Sequence, residues 1–509
     1  MPPDRPNILL ITSDQQHWDT LGVTNPRIRT PHLDRLAREG TRFERAYCSN
    51  PVCSPSRASI ITGLYPSWHH CWTIGVKLPE DVPTVGGLLG GAGYATHLIG
   101  KAHFQPLAST PGSTSLECQP TLRDLDFWRG FHGPWYGFEH VEVARNHADE
   151  SHAGQHYALW MEERGLANWR DYFQPYPPQP AAAGRPYWMR DRHSWSLPAE
   201  YHYSTWTAER AVANIERAVS TGRPFFTWAS FQDPHPPYLV PEPWASMYDA
   251  DEMVPGTLLP DEFERMPPHY AKTQEARPDF SMYRETYGPH GFHSHRIEAA
   301  ALRRSMAVYY GMISFMDQQI GRILAALDRL GVAENTLVLF TTDHGHFLGQ
   351  HGLVAKGAFH YEDMIRIPML VRWPGQVPAG AVSGALQSQV DLAPSFLRAA
   401  GQPVPGAMQG VSQLEAWAGG AAARDHAIVE NRHEPTKVHL RTYVDGRYKV
   451  TVYRDHAYGE MFDLAEDPEE RRNLWDEPQH LPLKAELLQR FLNAELRREP
   501  TRMPRVWGA

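Results

Sequence analysis

One thiol has surroundings that suit chemistry. Cys53 lies in Pro51-Val52-Cys53-Ser54-Pro55-Ser56-Arg57-Ala58-Ser59-Ile60-Ile61-Thr62-Gly63, followed by a proline, an arginine and an apolar helical turn. Pro55 suits the first position of a helix, where a missing N–H costs nothing. Cys53 then falls just ahead of a helix N-terminus, whose free N–H groups and dipole favour anions, and Arg57 adds a fixed positive charge. These surroundings suit a nucleophile that attacks a tetrahedral oxyanion, or a group that holds one. The competing reading of an isolated thiol is a buried structural cysteine.

Other chemistry-bearing residues follow short apolar runs. Asp14 and Gln15 come after Ile8 to Thr12, and Asp343 and His344 after Leu337 to Thr341. Two carboxylates, an amide oxygen and an imidazole make an oxygen-rich donor set for a hard or borderline divalent cation. Asp at strand ends also forms turns, but both pairs here end expected parallel strands. Lys101 and His103 follow Gly100 at the end of Ala95 to Ile99. His235, in Asp233-Pro234-His235-Pro236-Pro237-Tyr238 after Phe225 to Phe231, is held between prolines that restrict its backbone. Lys356 lies on a glycine-flanked loop beyond Asp343 and His344.

The elements that must position these groups alternate. Pro31 to Glu39 reads as a helix with Thr30 as its N-cap. A longer helix carries Met312, Phe315, Met316, Ile320, Ile323, Leu324, Leu327 and Leu330 at three- and four-residue steps and closes at Gly331. Such a stripe is core. With Pro368 to Arg372 as a further strand, the pattern predicts an α/β fold: a large, mostly parallel sheet sandwiched by helices. Open sheets of this kind bind ligands beyond the carboxyl ends of their strands, where the residues above fall.

Residues 106–201, rich in Trp, His, Pro and Gly, and 253–300 read as inserts of the lid, specificity or subunit-contact type. Trp135, Tyr136, His147, His152 and His156 are candidates to line an entrance. After Pro403-Val404-Pro405-Gly406, Val438 to Val444, Tyr448 to Tyr453 and Glu460 to Leu464 predict short antiparallel strands, with a hairpin turn at Asp445-Gly446. A helix from Leu481 to Arg497 follows. The expectation is a catalytic domain over 1–405 and a smaller C-terminal α+β subdomain over 406–509.

Bulk properties bound the function. The 509 residues are 42% hydrophobic and 21% charged, ordinary for a globular protein. A net charge of −9 speaks against general nucleic-acid binding. Four cysteines (Cys48, Cys53, Cys71 and Cys118) are too few and too irregular for a disulfide framework. No run approaches the ~18 apolar residues that span a bilayer, and no secretory leader precedes Ile8, so no membrane association and a cytoplasmic setting are expected.

The segment Cys53-Ser54-Pro55-Ser56-Arg57, with Thr62-Gly63 beyond it, resembles the signature of the sulfatase family, the formylglycine-dependent type I enzymes of the alkaline phosphatase superfamily. Gly93 to His103 resembles the second sulfatase signature, with Ala102 where the family has an aromatic residue, and the segment from Tyr458 to Leu464 resembles the family's closing stretch. The resemblance covers nearly the whole chain. It implies an alkaline phosphatase-like fold and conversion of Cys53 to formylglycine by a maturation enzyme, with the hydrate as nucleophile. It also implies one divalent metal ion on Asp14, Gln15, position 53, Asp343 and His344, with Ca2+ favoured and Mn2+ the alternative. Arg57, Lys101 and Lys356 would hold the sulfate. His235 or Lys356 would protonate the leaving alcohol, and His103 would take a proton from the second hydroxyl.

The implied substrate is a small-molecule sulfate ester, aryl or carbohydrate. Gln15 stands where most members carry Asp, a departure that resembles the choline-sulfatase and phosphonate monoester hydrolase branch. It keeps phosphonate monoester or phosphodiester hydrolysis open, as well as the choice of metal. A binding protein for sulfated ligands, with Cys53 unconverted, is the non-enzymatic alternative. The inserts would equally serve a contact between copies, so a homo-oligomer is open.

Overall fold

A computed structural model describes residues 5–176, 193–283, 291–432 and 437–499. Parts of both expected inserts, 177–192 and 284–290, lie outside the described residues. The central sheet is built from β1 (Asn7–Ser13), β2 (Thr41–Tyr47), β3 (Ala95–Gly100), β4 (His140–Val143), β5 (Phe225–Ser230), β6 (Thr336–Thr342), β7 (Arg366–Arg372), β8 (Ala381–Ser383) and β9 (Gln387–Ser388). Its order is β8-β2-β7-β6-β1-β5-β3-β4, with β9 also on β2. β7 runs antiparallel to both its neighbours, and every other pairing is parallel. The expected strand at Pro368 to Arg372 is thus real but reversed. Apolar content shows that a strand is buried on both faces and leaves its direction unmarked.

β1 occupies the centre because all seven of its residues are buried. Its side chains alternate between two cores. Ile8 and Leu10 pack with Ile60 and Ile61 on one face, and Leu9 and Ile11 pack with Met312, Phe315 and Met316 on the other. The second face is covered by α1 (Pro31–Glu39), α3 (Tyr203–Ser220) and α4 (Ala299–Arg329), and the first by α2 (Cys53–Thr62). Gly331, at φ 67, ends the long helix as expected.

Two local readings change. α2 begins at Cys53 itself, so Pro55 is its third residue and not its first. The change costs nothing, because no N–H of the first turn has a partner inside the helix. Thr30 makes no side-chain cap to α1. Its hydroxyl donates to Asp34 Oδ1 at 2.9 Å, while Asp317 on α4 accepts from His32 N at 3.1 Å and Leu33 N at 2.8 Å. A carboxylate from a distant helix does the capping.

A second, antiparallel sheet contains β10 (His426–Arg432), β11 (His439–Asp445), β12 (Tyr448–Tyr453) and β13 (Gly459–Asp463) in that order. α5 (Leu481–Arg497) packs Leu487 and Phe491 on it, in a core shared with Tyr65 and Val390. Among the described residues no helix is long and apolar enough to cross a membrane.

Candidate active site

Strand register brings the loops together. Thr12 pairs with Ser230, Ser13 with Thr342, and Gly100 with Ser230, so the segments leaving β1, β3, β5 and β6 emerge side by side at one sheet edge. Gly100 is required there. Its φ is +105, and a Cβ would overlap the Ser230 carbonyl oxygen, which accepts from Lys101 N at 2.9 Å.

Asp14, Cys53, Asp343 and His344 converge in this edge, all buried, with one ligand atom from each within 4.8 Å of the others. Cys53 Sγ lies 3.2 Å from His344 Nε2 and 3.8 Å from Asp14 Oδ1, and Lys356 Nζ reaches it at 3.2 Å. Arg57 is fully buried. Its Nε donates to Asp343 Oδ2 at 2.9 Å, one terminal nitrogen to Asp14 Oδ2 at 3.1 Å, and the other to Lys101 O at 3.0 Å and Ser230 Oγ at 2.7 Å. It therefore locks two carboxylates and the lysine loop into one unit. Lys101 Nζ is bonded to Asp14 Oδ2 and lies 2.6 Å from His147 Nε2.

Ring partners fix several histidine tautomers. His344 Nδ1 lies 3.0 Å from Gly345 O and His235 Nδ1 2.5 Å from Pro236 O; only an N–H can face a carbonyl, so in each neutral ring Nε2 is the acceptor. Lys356 Nζ lies 3.3 Å from that His235 nitrogen, and the His235 ring stacks on His147 at 3.7 Å.

His103 is buried in the same region but turned to Arg145. Its Nε2 accepts from the guanidinium at 2.8 Å, its proton sits on Nδ1, and Nδ1 has no hydrogen-bond partner. Gln15, at φ 59, is also wholly buried, and its N donates to Asp343 Oδ1 at 2.9 Å. Its Nε2 lies 2.8 Å from His346 Nδ1, leaving Oε1 buried without a partner.

The electrostatics follow from crowding without water. Burial opposes charge on Asp14, yet the cations Lys101 and Arg57 hold its carboxyl well below the ordinary range. Burial and Asp14 push the Cys53 thiol up, and Lys101, Lys356 and His344 outweigh them, so its pKa is lowered. Burial, then neighbouring cations, keep His103, His147 and His235 neutral, each far below its usual value. His344 moves the other way: burial opposes its charge, but Asp343 and Cys53 beside it raise its pKa.

A divalent cation fits this donor set. Two carboxylates and an imidazole nitrogen turned inward suit such an ion, and the amide oxygen of Gln15, the residue next to Asp14, is buried without a partner, which is costly.

The sulfatase family model matches residues 6–402. The chain belongs to the sulfatase family. A model described as the C-terminal part of N-sulphoglucosamine sulphohydrolase matches residues 349–497. The sequence is 29% identical to an arylsulfatase of Clostridium perfringens over 92% of this chain and 90% of that one. It is 28% identical to a multifunctional alkaline phosphatase superfamily protein of Trinickia caryophylli, over 97% and 95%. The structure is similar to a phosphonate monoester hydrolase from Silicibacter pomeroyi, with a TM-score of 0.79 and 25% identity over 98% and 96% of the chains. As a member of this family the protein is an enzyme, a sulfuric ester hydrolase, with the large mixed sheet and C-terminal antiparallel sheet its fold class implies.

In this sulfatase several residues around the centre escaped sequence reasoning. Arg145, and a position for His147, come from the loop after β4, a strand of four residues too short to stand out. Gln389 ties Thr342 O, Asp343 O, Ser49 N and Ser56 Oγ together at 2.7–3.0 Å. No local pattern marks it. Of the entrance candidates, His147 joins the centre, whereas His156 bonds Val143 N and Phe131 O and is structural. Trp135 and Tyr136 pack on Phe104 in the core, and His152 meets Tyr176 edge-to-face.

Proposed function

We propose that the protein hydrolyses a sulfate monoester, aryl or carbohydrate, at position 53 after conversion of Cys53 to formylglycine by a maturation enzyme. The observation that carries this reading is the thiol itself. It opens a buried helix, faces Asp14, Asp343 and His344, and has Lys356 at 3.2 Å. A structural cysteine needs none of these neighbours.

Asp14, Gln15, Asp343 and His344 would hold one divalent cation, Ca2+ or Mn2+, which supplies Lewis-acid stabilisation of negative charge beside position 53. Formylglycine would supply a hydrated aldehyde with one hydroxyl to attack sulfur and a second whose proton loss returns the aldehyde and frees sulfate. The remaining work falls to side chains of this chain. Lys101 and Lys356 flank position 53 and would hold the sulfate oxygens as charge develops. Arg57 reaches the sulfate only through the carboxylates that it pins, so its role is positioning.

Lys356 would protonate the leaving alcohol, because His235 keeps its one proton on Nδ1 against Pro236 O and offers Nε2 as an acceptor. His103, with Nε2 against Arg145, would take the second hydroxyl's proton only once that contact yields. Four unpaired, buried cysteines support a cytoplasmic setting.

A second reading, phosphonate monoester or phosphodiester hydrolysis at the same site, is favoured by Gln15 and by the likeness to the Silicibacter pomeroyi phosphonate monoester hydrolase. Two measurements test the function. Mass spectrometry of the Cys53 peptide from the native host should show a loss of about 18 Da, the thiol-to-aldehyde change expected for a formylglycine nucleophile. Paired kinetics should give a higher kcat/KM on an aryl sulfate than on the matching aryl phosphonate monoester. The reverse order would replace the sulfate reading with the second one, and an unmodified thiol in active native protein would sink the formylglycine mechanism.

A further inference from the structure

Gln15 is the one member of the donor set whose two ends differ in kind. A carboxylate presents oxygen whichever way it turns, and His344 has its proton placed by Gly345 O. A glutamine amide presents either an acceptor oxygen or an NH2 group, and only the oxygen can face a cation. Something must choose between the two rotations.

We propose that His346 is the positioning residue that makes this choice, holding the Gln15 amide so that Oε1 and not Nε2 faces the cation. The inference rests on the reading of Gln15 as a metal ligand. Gln15 Nε2 lies 2.8 Å from His346 Nδ1, and His346 Nε2 lies 2.8 Å from Tyr238 Oη. With Nδ1 accepting from the amide, the ring proton sits on Nε2 and is donated to the tyrosine oxygen. While the ring keeps its proton on Nε2, a reversed amide would set Oε1 against the Nδ1 lone pair and point two N–H bonds at the cation, so both ends would be repelled.

The ring has little freedom to permit that. His346 is wholly buried and stacked on Tyr309 at 4.8 Å and 14°. The Tyr309 hydroxyl donates to Gln15 O at 2.9 Å and accepts from His17 N at 2.9 Å. One tyrosine therefore fixes both the plane of His346 and the backbone of Gln15, whose left-handed φ of 59 depends on such restraint. The unpartnered, buried Oε1 is the remainder of this arrangement.

The test is Mn2+ affinity, measured from the free-ion electron paramagnetic resonance signal on purified protein, with no turnover involved. His346→Phe should weaken Mn2+ binding by about 10- to 100-fold, the usual effect of losing a partner that orients a ligand. A carboxylate at position 15 needs no such orientation, so Gln15→Glu with His346→Phe should bind within about threefold of Gln15→Glu alone, a pair coupling that a double-mutant cycle isolates.

Tyr238→Phe keeps the packing and removes only the acceptor for the Nε2 proton. It should weaken binding several-fold when position 15 is glutamine and leave binding unchanged in the Gln15→Glu background. Equal losses in both backgrounds would reduce His346 to a structural role and overturn the proposal. So would unchanged affinity in His346→Phe while Gln15→Leu binds weakly. Should Gln15→Leu itself bind Mn2+ as wild type does, the ligand reading of Gln15 fails and this inference falls with it.

Discussion

Arg57→Met is the most direct test of how the centre is held together. The arginine is fully buried and makes four hydrogen bonds, two of them to the carboxylates of Asp14 and Asp343, themselves wholly buried. Methionine fills most of the volume and removes the charge. Lys101 remains on Asp14, but Asp343 Oδ2 loses its arginine, and Ser230 Oγ and Lys101 O lose a donor. Breaking a buried ion pair by removing one partner costs about 3–5 kcal/mol.

For a chain of this length that corresponds to a fall in Tm of about 3–5 °C, extrapolating the size dependence of ΔTm. Differential scanning fluorimetry on chelator-treated protein is the assay. Added Mn2+ should narrow the gap, because a cation takes over neutralisation of the same carboxylates and stabilises by binding. Arg57→Lys keeps the charge but loses the planar fork, and should fall between the two. A metal-free Arg57→Met protein melting within about 1 °C of wild type would show that the arginine does not hold the two carboxylates, since losing a buried pair worth about 3–5 kcal/mol must register in the melt.

Lys356→Ala should lower kcat by about 10²–10³-fold, as for loss of one preorganised charge stabiliser, and lower it least for esters whose alcohol leaves readily without a proton; equal losses across a leaving-group series would argue against proton donation. Gly100→Ala should destabilise the protein and abolish turnover together, because the Cβ must displace the Ser230 carbonyl that holds Lys101 N; full activity would show that the β3–β5 edge yields more readily than its register implies. His69, His202 and His269 are buried, and burial pulls each down to about 3 from 6.5. A depressed histidine contributes stability that is complete above its unfolded value near 6.5 and is lost as pH falls towards 3, with about 2 kcal/mol each gone at pH 5. Thermal melts from pH 7 to 4 should decline accordingly, and His269→Gln should flatten the decline; an unchanged slope would mean that the site hydrates on protonation.

The chemistry of this protein was legible in its sequence wherever a residue type and its immediate neighbours carry the signal. Cys53 with Pro55 and Arg57, and Asp14 and Asp343 after apolar runs, are local patterns, because a short buried strand must end in a polar turn and the fold places ligands there. The half of the long helix from Met312 to its close at Gly331, the Asp445-Gly446 hairpin and the terminal helix were legible for the same reason: period and turn chemistry are properties of neighbouring residues.

Tertiary structure alone decided what depends on partners far along the chain. β7 runs backwards in a sheet whose other pairings are parallel, since burial on both faces reads the same in either direction. Asp317 caps α1 from 284 residues away at Leu33, so a suitable Thr30 went unused. His103 turned its ring to Arg145, His147 moved in against Lys101, and Gln389 knotted the strand ends. Above all, the orientation of the Gln15 amide belongs to His346, 331 residues on. Sequence names the atoms that could bind, and only packing settles which end of an amide faces inward.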